Sequence, residues 1–288
     1  MHADAYDILR PTALRSSVIF ASPHSGRDYR PGFLARTALD PLALRSSEDA
    51  FVDRLFACAP DLGAALITAR LPRAWLDLNR SPDELDPALI DGVARTGLTP
   101  RISAGLGVVP RVVAGGRAIY RGKLTAQEAT DRLDAVWYPY HGALAGLMEE
   151  TRARFGRAIL IDCHSMPREA ISASLRGAHG LPQVVLGDRF GAAAAPAIVA
   201  RVEHAFARAG LRVTRNTPFA GAFVAEHYGR PAAGFHVVQV EIDRGLYMDE
   251  ARVAPLPAFA ALQRTLRGVV AAIAAIDAEA PDMPLAAE

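Results

Sequence analysis

The sequence predicts an α/β protein in which helices cover both faces of a sheet. Short, continuously apolar runs recur along the chain and each ends in a polar cluster, a pattern that suits strands buried on both sides. Between them lie stretches with apolar residues at helical spacing. Of the 288 residues, 51% are hydrophobic and 22% charged, which supports a buried core and excludes disordered and fibrous classes. The length allows one large domain or two small ones. No repeat, low-complexity tract or linker divides it, so a single domain over 1–288 is expected.

The first strand is read at 17–21, running into Ser22-Pro23-His24-Ser25-Gly26. A helix follows at 49–59, where Phe51, Val52, Leu55 and Phe56 share helical spacing, and then a strand at 64–68. Asp77-Leu78-Asn79-Arg80-Ser81-Pro82 ends a strand-like stretch that also holds Trp75. The Gly- and Pro-rich segment 83–122 reads as loops with a hairpin, the place for substrate-binding insertions. A helix over 125–137 opens on Thr125 and Glu128, the signature of a capping box. Tyr138-Pro139-Tyr140-His141 leads into a helix over 140–154. Then come a strand at 158–161 running into Asp162-Cys163-His164-Ser165, a strand at 184–186 and a helix over 192–209. The last elements are a strand at 235–240 running into Glu241-Ile242-Asp243-Arg244 and a helix over 257–276.

Several function classes drop out. With 32 Lys+Arg against 31 Asp+Glu the net charge is +1, which leaves no basic footprint for nucleic acid. Lys123 is the sole lysine, so the positive charge is nearly all arginine, the better partner for carboxylates. Cys58 and Cys163 cannot build a disulfide framework or a two-cysteine metal motif. No apolar run reaches the roughly 18–20 residues of a membrane span, and residues 1–7 lack the regions of a signal peptide. A soluble, cytoplasmic protein is the expectation. There is no phosphate-binding loop and no Gly-x-Ser-x-Gly elbow, and Gly105-Leu106-Gly107 lacks a dinucleotide-binding context.

The residues that can carry chemistry cluster at strand ends. His24 and His164 each fall just past a predicted buried strand, at the sheet edge where open α/β folds bind ligands. An imidazole on a rigid strand end is a good zinc ligand, and a catalytic zinc needs three protein ligands and an open position. Turn-capping loop histidines are the structural alternative. Glu48 and Asp49 offer a carboxylate as third ligand, although acids also favour helix starts for the dipole alone. Asp162 is placed to orient His164. Alternation puts Gln239, Glu241 and Asp243 on one strand face, where Glu241 serves either as a general base or in a salt bridge to Arg244. Asn79 and Arg80 can bind a substrate carboxylate, with Arg111, Arg117, Arg121 and Arg244 as weaker choices. His141 either faces the site or sits in the first turn of its helix. His2, His179, His204, His227 and His236 lack any comparable setting.

Six blocks in order, from about residue 17 to 250, resemble the N-formylglutamate amidohydrolase (N-formylglutamate deformylase) family. They are Ser22–Gly26, the run Ser47-Glu48-Asp49-Ala50-Phe51-Val52-Asp53, Asp77-Leu78-Asn79-Arg80, Tyr138-Pro139-Tyr140-His141, Asp162-Cys163-His164-Ser165-Met166-Pro167, and Gln239 through Met248. The resemblance implies a mixed, mostly parallel sheet sandwiched between helices, zinc-carboxypeptidase-like (phosphorylase/hydrolase-like), related to the aspartoacylases. It implies hydrolysis of N-formyl-L-glutamate to formate and glutamate, a late step of a histidine-degradation route, with one zinc ion per chain. His24 and His164 would be zinc ligands, Glu241 the base, and Asn79 and Arg80 substrate binders; His141 and Arg244 join the substrate-binding set. The wider carboxypeptidase group pairs a His with a Glu three residues on, where this chain has Arg27. The third ligand is then Asp49, matching an acid shared among related amidohydrolases, or its neighbour Glu48. Two alternatives stay open: a zinc amidohydrolase for another N-acyl amino acid or peptide, and a non-catalytic small-molecule binding protein. The oligomeric state is not legible.

Overall fold

The computed structural model describes residues 5–94, 97–174 and 180–277. Seven strands make the main sheet: β1 (Tyr6–Leu9), β2 (Val18–Ser22), β3 (Ala65–Ala69), β4 (Ala158–Met166), β5 (Val184–Gly187), β6 (Val213–Arg215) and β7 (Phe235–Asp243). Their order is β1-β3-β2-β4-β7-β5-β6. The four central strands β3, β2, β4 and β7 run parallel, while β1 and β5 pair antiparallel to their neighbours and β6 follows β5. The sheet is therefore mixed and mostly parallel, in line with the α/β expectation.

Alternation along the central strands divides the core into two layers. Ile19, Ile67, Leu160 and Val237 pack with Leu144, Leu147 and Met148 on one side. Phe20, Leu66, Ile161, Val238 and Val240 pack with Val199, Val202, Leu266 and Val270 on the other. Each such fully buried large side chain contributes roughly 1.5–3 kcal/mol. The edge strands β1 and β6 were not foreseen. They are only partly buried, so they lack the continuous apolar run that marks the central strands.

Two strand boundaries need correcting. β4 and β7 are each nine residues long and run on through the polar clusters that the sequence reading places at their ends. His164 and Glu241 therefore lie inside the last third of their strands, and they are register partners. His164, Gln239 and Glu241 line a cavity, where polar side chains are accommodated. His24 does lie beyond the end of β2.

The helices that bear on the site and the layers are α1 (Val52–Leu55), α2 (Ala126–Arg132), α3 (Tyr138–Phe155), α4 (Pro196–Arg208), α5 (Phe223–Tyr228) and α6 (Phe259–Ala274), besides further helical segments such as Pro31–Arg36 and Arg168–Ser174. The expected helix over 49–59 shrinks to the single turn α1. The Asp49 backbone N–H donates to the His24 carbonyl at 2.9 Å, and Phe51 takes a left-handed φ of 67°. That conformation, strained for a bulky residue, stops any helix from starting at Asp49. The capping box on α2 is present, with Thr125 and Glu128 bonded reciprocally. Between α2 and α3 the chain stays helical through a π-helical stretch, Leu133–Trp137. Pro139 has no N–H to give the preceding turn, and the wider helix absorbs the loss. In 83–122 the expected hairpin reduces to one antiparallel bridge, Val112 to Ala118. His2 and His179 lie outside the described residues. Among the described residues, no helix is long and apolar enough to cross a membrane.

Candidate active site

The chain leaves β2 toward β3 on one side of the sheet and leaves β4 toward β5 on the other. The carboxyl ends of β2 and β4 therefore flank a topological switch point, where open α/β sheets bind ligands. His24 and His164 meet there, with ring centroids 4.7 Å apart. The turn carrying His24 is pressed against the chain after β3: a Cβ on Gly26 would sit 2.0 Å from the Leu71 carbonyl oxygen. Only glycine allows that approach.

Each imidazole is aimed by a carboxylate. His24 Nε2 lies 2.7 Å from Asp77 Oδ1, and His164 Nε2 lies 2.9 Å from Asp162 Oδ2. Both Nδ1 atoms then turn toward one oxygen, Asp49 Oδ2, at 3.4 Å from His24 and 3.0 Å from His164. The ligand atoms of His24, Asp49 and His164 all lie within 4.8 Å of one another. His24 Nδ1 is buried without a hydrogen-bond partner, a costly state for a ring nitrogen. A cation among the three groups satisfies it, so the cluster fits a metal ion, with Asp77 and Asp162 as the carboxylates that orient its histidines. Burial opposes a charged His164, but Asp162 and Asp49 outweigh it and hold its pKa well above the ordinary value. Burial likewise opposes ionisation of Asp49, yet its contacts with His164 and His24 and the nearby Arg244 keep it well below the usual carboxylate range.

The other predicted residues separate into those that reach the cavity and those that do not. A cavity of about 660 Å³ is lined by His24, Asp49, Asn79, Arg80, His164, Glu241 and Arg244, among others, a size suited to a small ligand. Arg244 does not pair with Glu241. It binds Asp49 Oδ1 at 2.9 Å, Ser165 Oγ at 3.1 Å and the Ser46 carbonyl at 3.2 Å, so it fixes the free side of Asp49. Asn79 uses its amide within the protein, donating to Asp162 and Gln239 and accepting from the Val224 N–H at 2.8 Å. Glu241 accepts from Gln239 Nε2 at 2.9 Å. Burial raises its pKa to about 7, against the pull of the His164 charge. Of the loop arginines, Arg111 is tied to Asp86 at 2.7 Å, and neither Arg117 nor Arg121 lines the cavity.

His141 is a correction. It does not reach the cavity, and both ring nitrogens are engaged, Nδ1 with Tyr228 Oη at 2.9 Å and Nε2 with the Leu78 carbonyl at 3.0 Å. With Trp137, which stacks on it at 4.0 Å and donates to the Arg80 carbonyl, it braces the Asp77–Arg80 turn from beneath. Burial lowers its pKa to about 3. The unfolded chain protonates it first, so its stabilisation is complete above pH ~6.5 and is lost as the pH falls toward 3, by at most about 1.4 kcal/mol per unit. Urea titrations between pH 4 and 6.5 should show a shallower slope for His141→Gln than for the parent; equal slopes would contradict a neutral, buried His141.

Sequence reasoning missed Asp77 as the partner of His24, as well as Arg73, which holds Asp77 at 2.9 Å. A signal existed: if Asp162 orients one histidine, the other needs an acid, and Asp77 stands beside Asn79 and Arg80.

The sequence profile of the N-formylglutamate amidohydrolase family matches residues 16–248. The chain belongs to this family. It is 33% identical over 259 residues to N-formylglutamate deformylase of Pseudomonas aeruginosa, covering 89% of this chain and 90% of that protein. The Pseudomonas putida N-formylglutamate deformylase is also 33% identical, over 82% of this chain and 83% of its own. The crystal structure of N-formylglutamate amidohydrolase from Ralstonia eutropha JMP134 superposes with a TM-score of 0.88 at 34% identity, over 94% of this chain and 97% of that one. A gene product of Agrobacterium tumefaciens, 17% identical with a TM-score of 0.62 over 93% and 94% of the two chains, shares the fold. Every residue of the cluster lies within the part that matches the N-formylglutamate amidohydrolase family.

In this family member the choice between Asp49 and Glu48 has a geometric basis. Glu48 turns away, held by Arg45 Nε at 2.9 Å and Tyr29 Oη at 3.1 Å. Asp49→Ala should therefore cost far more metal affinity than Glu48→Ala, whose effect falls on stability. Chelator competition on both variants checks this, and the reverse ranking would transfer the role to Glu48.

Proposed function

We propose that this chain hydrolyses N-formyl-L-glutamate to formate and L-glutamate, with one zinc ion held by His24, Asp49 and His164. The observation that carries the reading is the convergence of two carboxylate-aimed imidazoles on Asp49, beside a buried Glu241 on the adjacent strand. The His₂Asp donor set suits zinc with a position left open. Bound there, zinc supplies a Lewis acid that acidifies water and polarises the formyl carbonyl.

Glu241 takes the proton of the attacking water on its carboxylate. The hydroxide oxygen adds to the formyl carbon, the C–N bond breaks, and Glu241 returns the proton to the leaving amine. Gln239 holds one carboxylate oxygen of Glu241 and leaves the other for this exchange. Arg244 and Ser165 keep Asp49 in place. Arg80 is buried, and among the described residues its guanidinium bonds only carbonyl oxygens, those of Leu106 and Asn79. Such a guanidinium is matched by a substrate carboxylate. The sheet order and the switch-point site support a zinc-carboxypeptidase-like architecture in one domain, and the family membership supports a role in histidine degradation within the cytoplasm.

Metal quantification with a formate-release assay tests the reading, run on formylglutamate, formylaspartate and N-acetylated amino acids. Stoichiometric zinc and a preference for formylglutamate are expected. Faster turnover of an acetylated amino acid would assign the same chemistry to another acyl group, and a metal-free, inactive protein would favour a binding role.

A further inference from the structure

Four guanidinium groups line the cavity: those of Arg73, Arg80, Arg101 and Arg244. Arg73 and Arg244 face the buried carboxylates Asp77 and Asp49, each at 2.9 Å. Among the described residues, the Arg80 guanidinium hydrogen-bonds only to carbonyl oxygens, and the Arg101 guanidinium makes no hydrogen bond or ion pair. Asp77 and Glu84 offset part of the Arg80 charge, while Arg73 and Arg101 act against it. Two like charges at one cavity, neither ion-paired to a carboxylate among the described residues, are relieved when an anion enters.

Their positions are ordered along that wall. Arg80 adjoins Asn79, whose amide donates to Asp162, the carboxylate behind His164. Arg80 Nε donates to the Leu106 carbonyl at 3.0 Å, and the Leu106 N–H donates to the Arg101 carbonyl at 2.9 Å. Arg80 is thus buried at the metal-ligand end, and Arg101 is exposed one step farther out, in a helical turn, Pro100–Ser103, capped by Thr99. N-Formylglutamate has the same order: an α-carboxylate beside the scissile amide and a second carboxylate two methylenes beyond.

We propose that Arg101 is the specificity-determining residue that receives the side-chain carboxylate of the substrate, while Arg80 takes the α-carboxylate. This rests on the formylglutamate reading above. It explains why an arginine whose guanidinium has no partner among the described residues lines the cavity, and it makes the site select for a dianion.

The test compares kcat/KM on N-formylglutamate and N-formylglutamine, nearly isosteric substrates that differ in side-chain charge, for the parent, Arg101→Gln and Arg80→Gln. The parent prefers formylglutamate. Arg101→Gln lowers that preference about 10–100-fold, chiefly through KM, the usual worth of a charge-assisted hydrogen bond. Arg80→Gln lowers both substrates together and keeps the ratio. Turnover of formylglutamine by Arg101→Gln shows that the variant is folded. An unchanged preference in Arg101→Gln, or an equal loss on both substrates, overturns the assignment. A parent that hydrolyses both without preference overturns it while leaving the deformylase reading intact; a parent that hydrolyses neither removes both.

Discussion

Glu241→Gln is expected to lower turnover of N-formylglutamate about 10²–10⁴-fold, the usual worth of general acid–base catalysis, with zinc content and melting temperature close to the parent. The substitution keeps the side chain's volume and an oxygen that can accept from Gln239, 2.9 Å away in the parent. It removes only the ability to take a proton. Burial raises the carboxyl to about 7, which suits a group that must accept and return a proton near neutrality. The competing account, a structural pair with Arg244, predicts lost stability with turnover retained per folded molecule. Arg244 instead binds Asp49, so the structure supplies no such pair. Metal content, melting temperature and turnover on this one variant decide between them. Near-parent turnover in the folded, zinc-loaded protein would remove Glu241 from the mechanism.

His24→Ala and His164→Ala should each abolish zinc binding and activity together while the fold survives. Each imidazole lines the cavity, and its Nδ1 is turned to Asp49 Oδ2 and not to an apolar layer. The loss should exceed that caused by removing an orienting carboxylate. Asp77→Asn or Asp162→Asn is expected to weaken zinc about 10–100-fold and leave a measurable site. Chelator competition ranks the four variants, and far-UV circular dichroism reports the fold. Stoichiometric zinc retained in both histidine variants would sink the ligand assignment. A weaker effect from the histidines than from the aspartates would make the carboxylates, not the imidazoles, the primary ligands.

The legible part of the site was the part that lies on strands or just past their ends. His24, His164 and Glu241 follow apolar runs whose burial is written in composition, and the sheet then brings their strand ends to one edge. What misled was reading polar residues as strand ends: β4 and β7 continue because alternate side chains face a cavity, which composition does not reveal. The helix expected at 49–59 failed for a related reason. Its apolar spacing is real, and Phe56 packs in the core, but a single long-range hydrogen bond from Asp49 to His24 and the left-handed Phe51 override local propensity.

The amino-acid sequence by itself determined the α/β class, the central strands, the capping box and the two histidines with their neighbouring acids, because each is a local pattern of apolar period or residue type. Tertiary structure alone placed Asp49 and not Glu48 beside the two histidines, kept His141 out of the cavity, paired Asp77 with His24 and, among the described residues, left Arg80 and Arg101 without a carboxylate ion pair. Adjacent residues such as Glu48 and Asp49 are equivalent in composition, and only the direction in which each side chain leaves the backbone puts one against the two histidines and the other against Arg45. That direction is set by contacts between segments far apart in the chain.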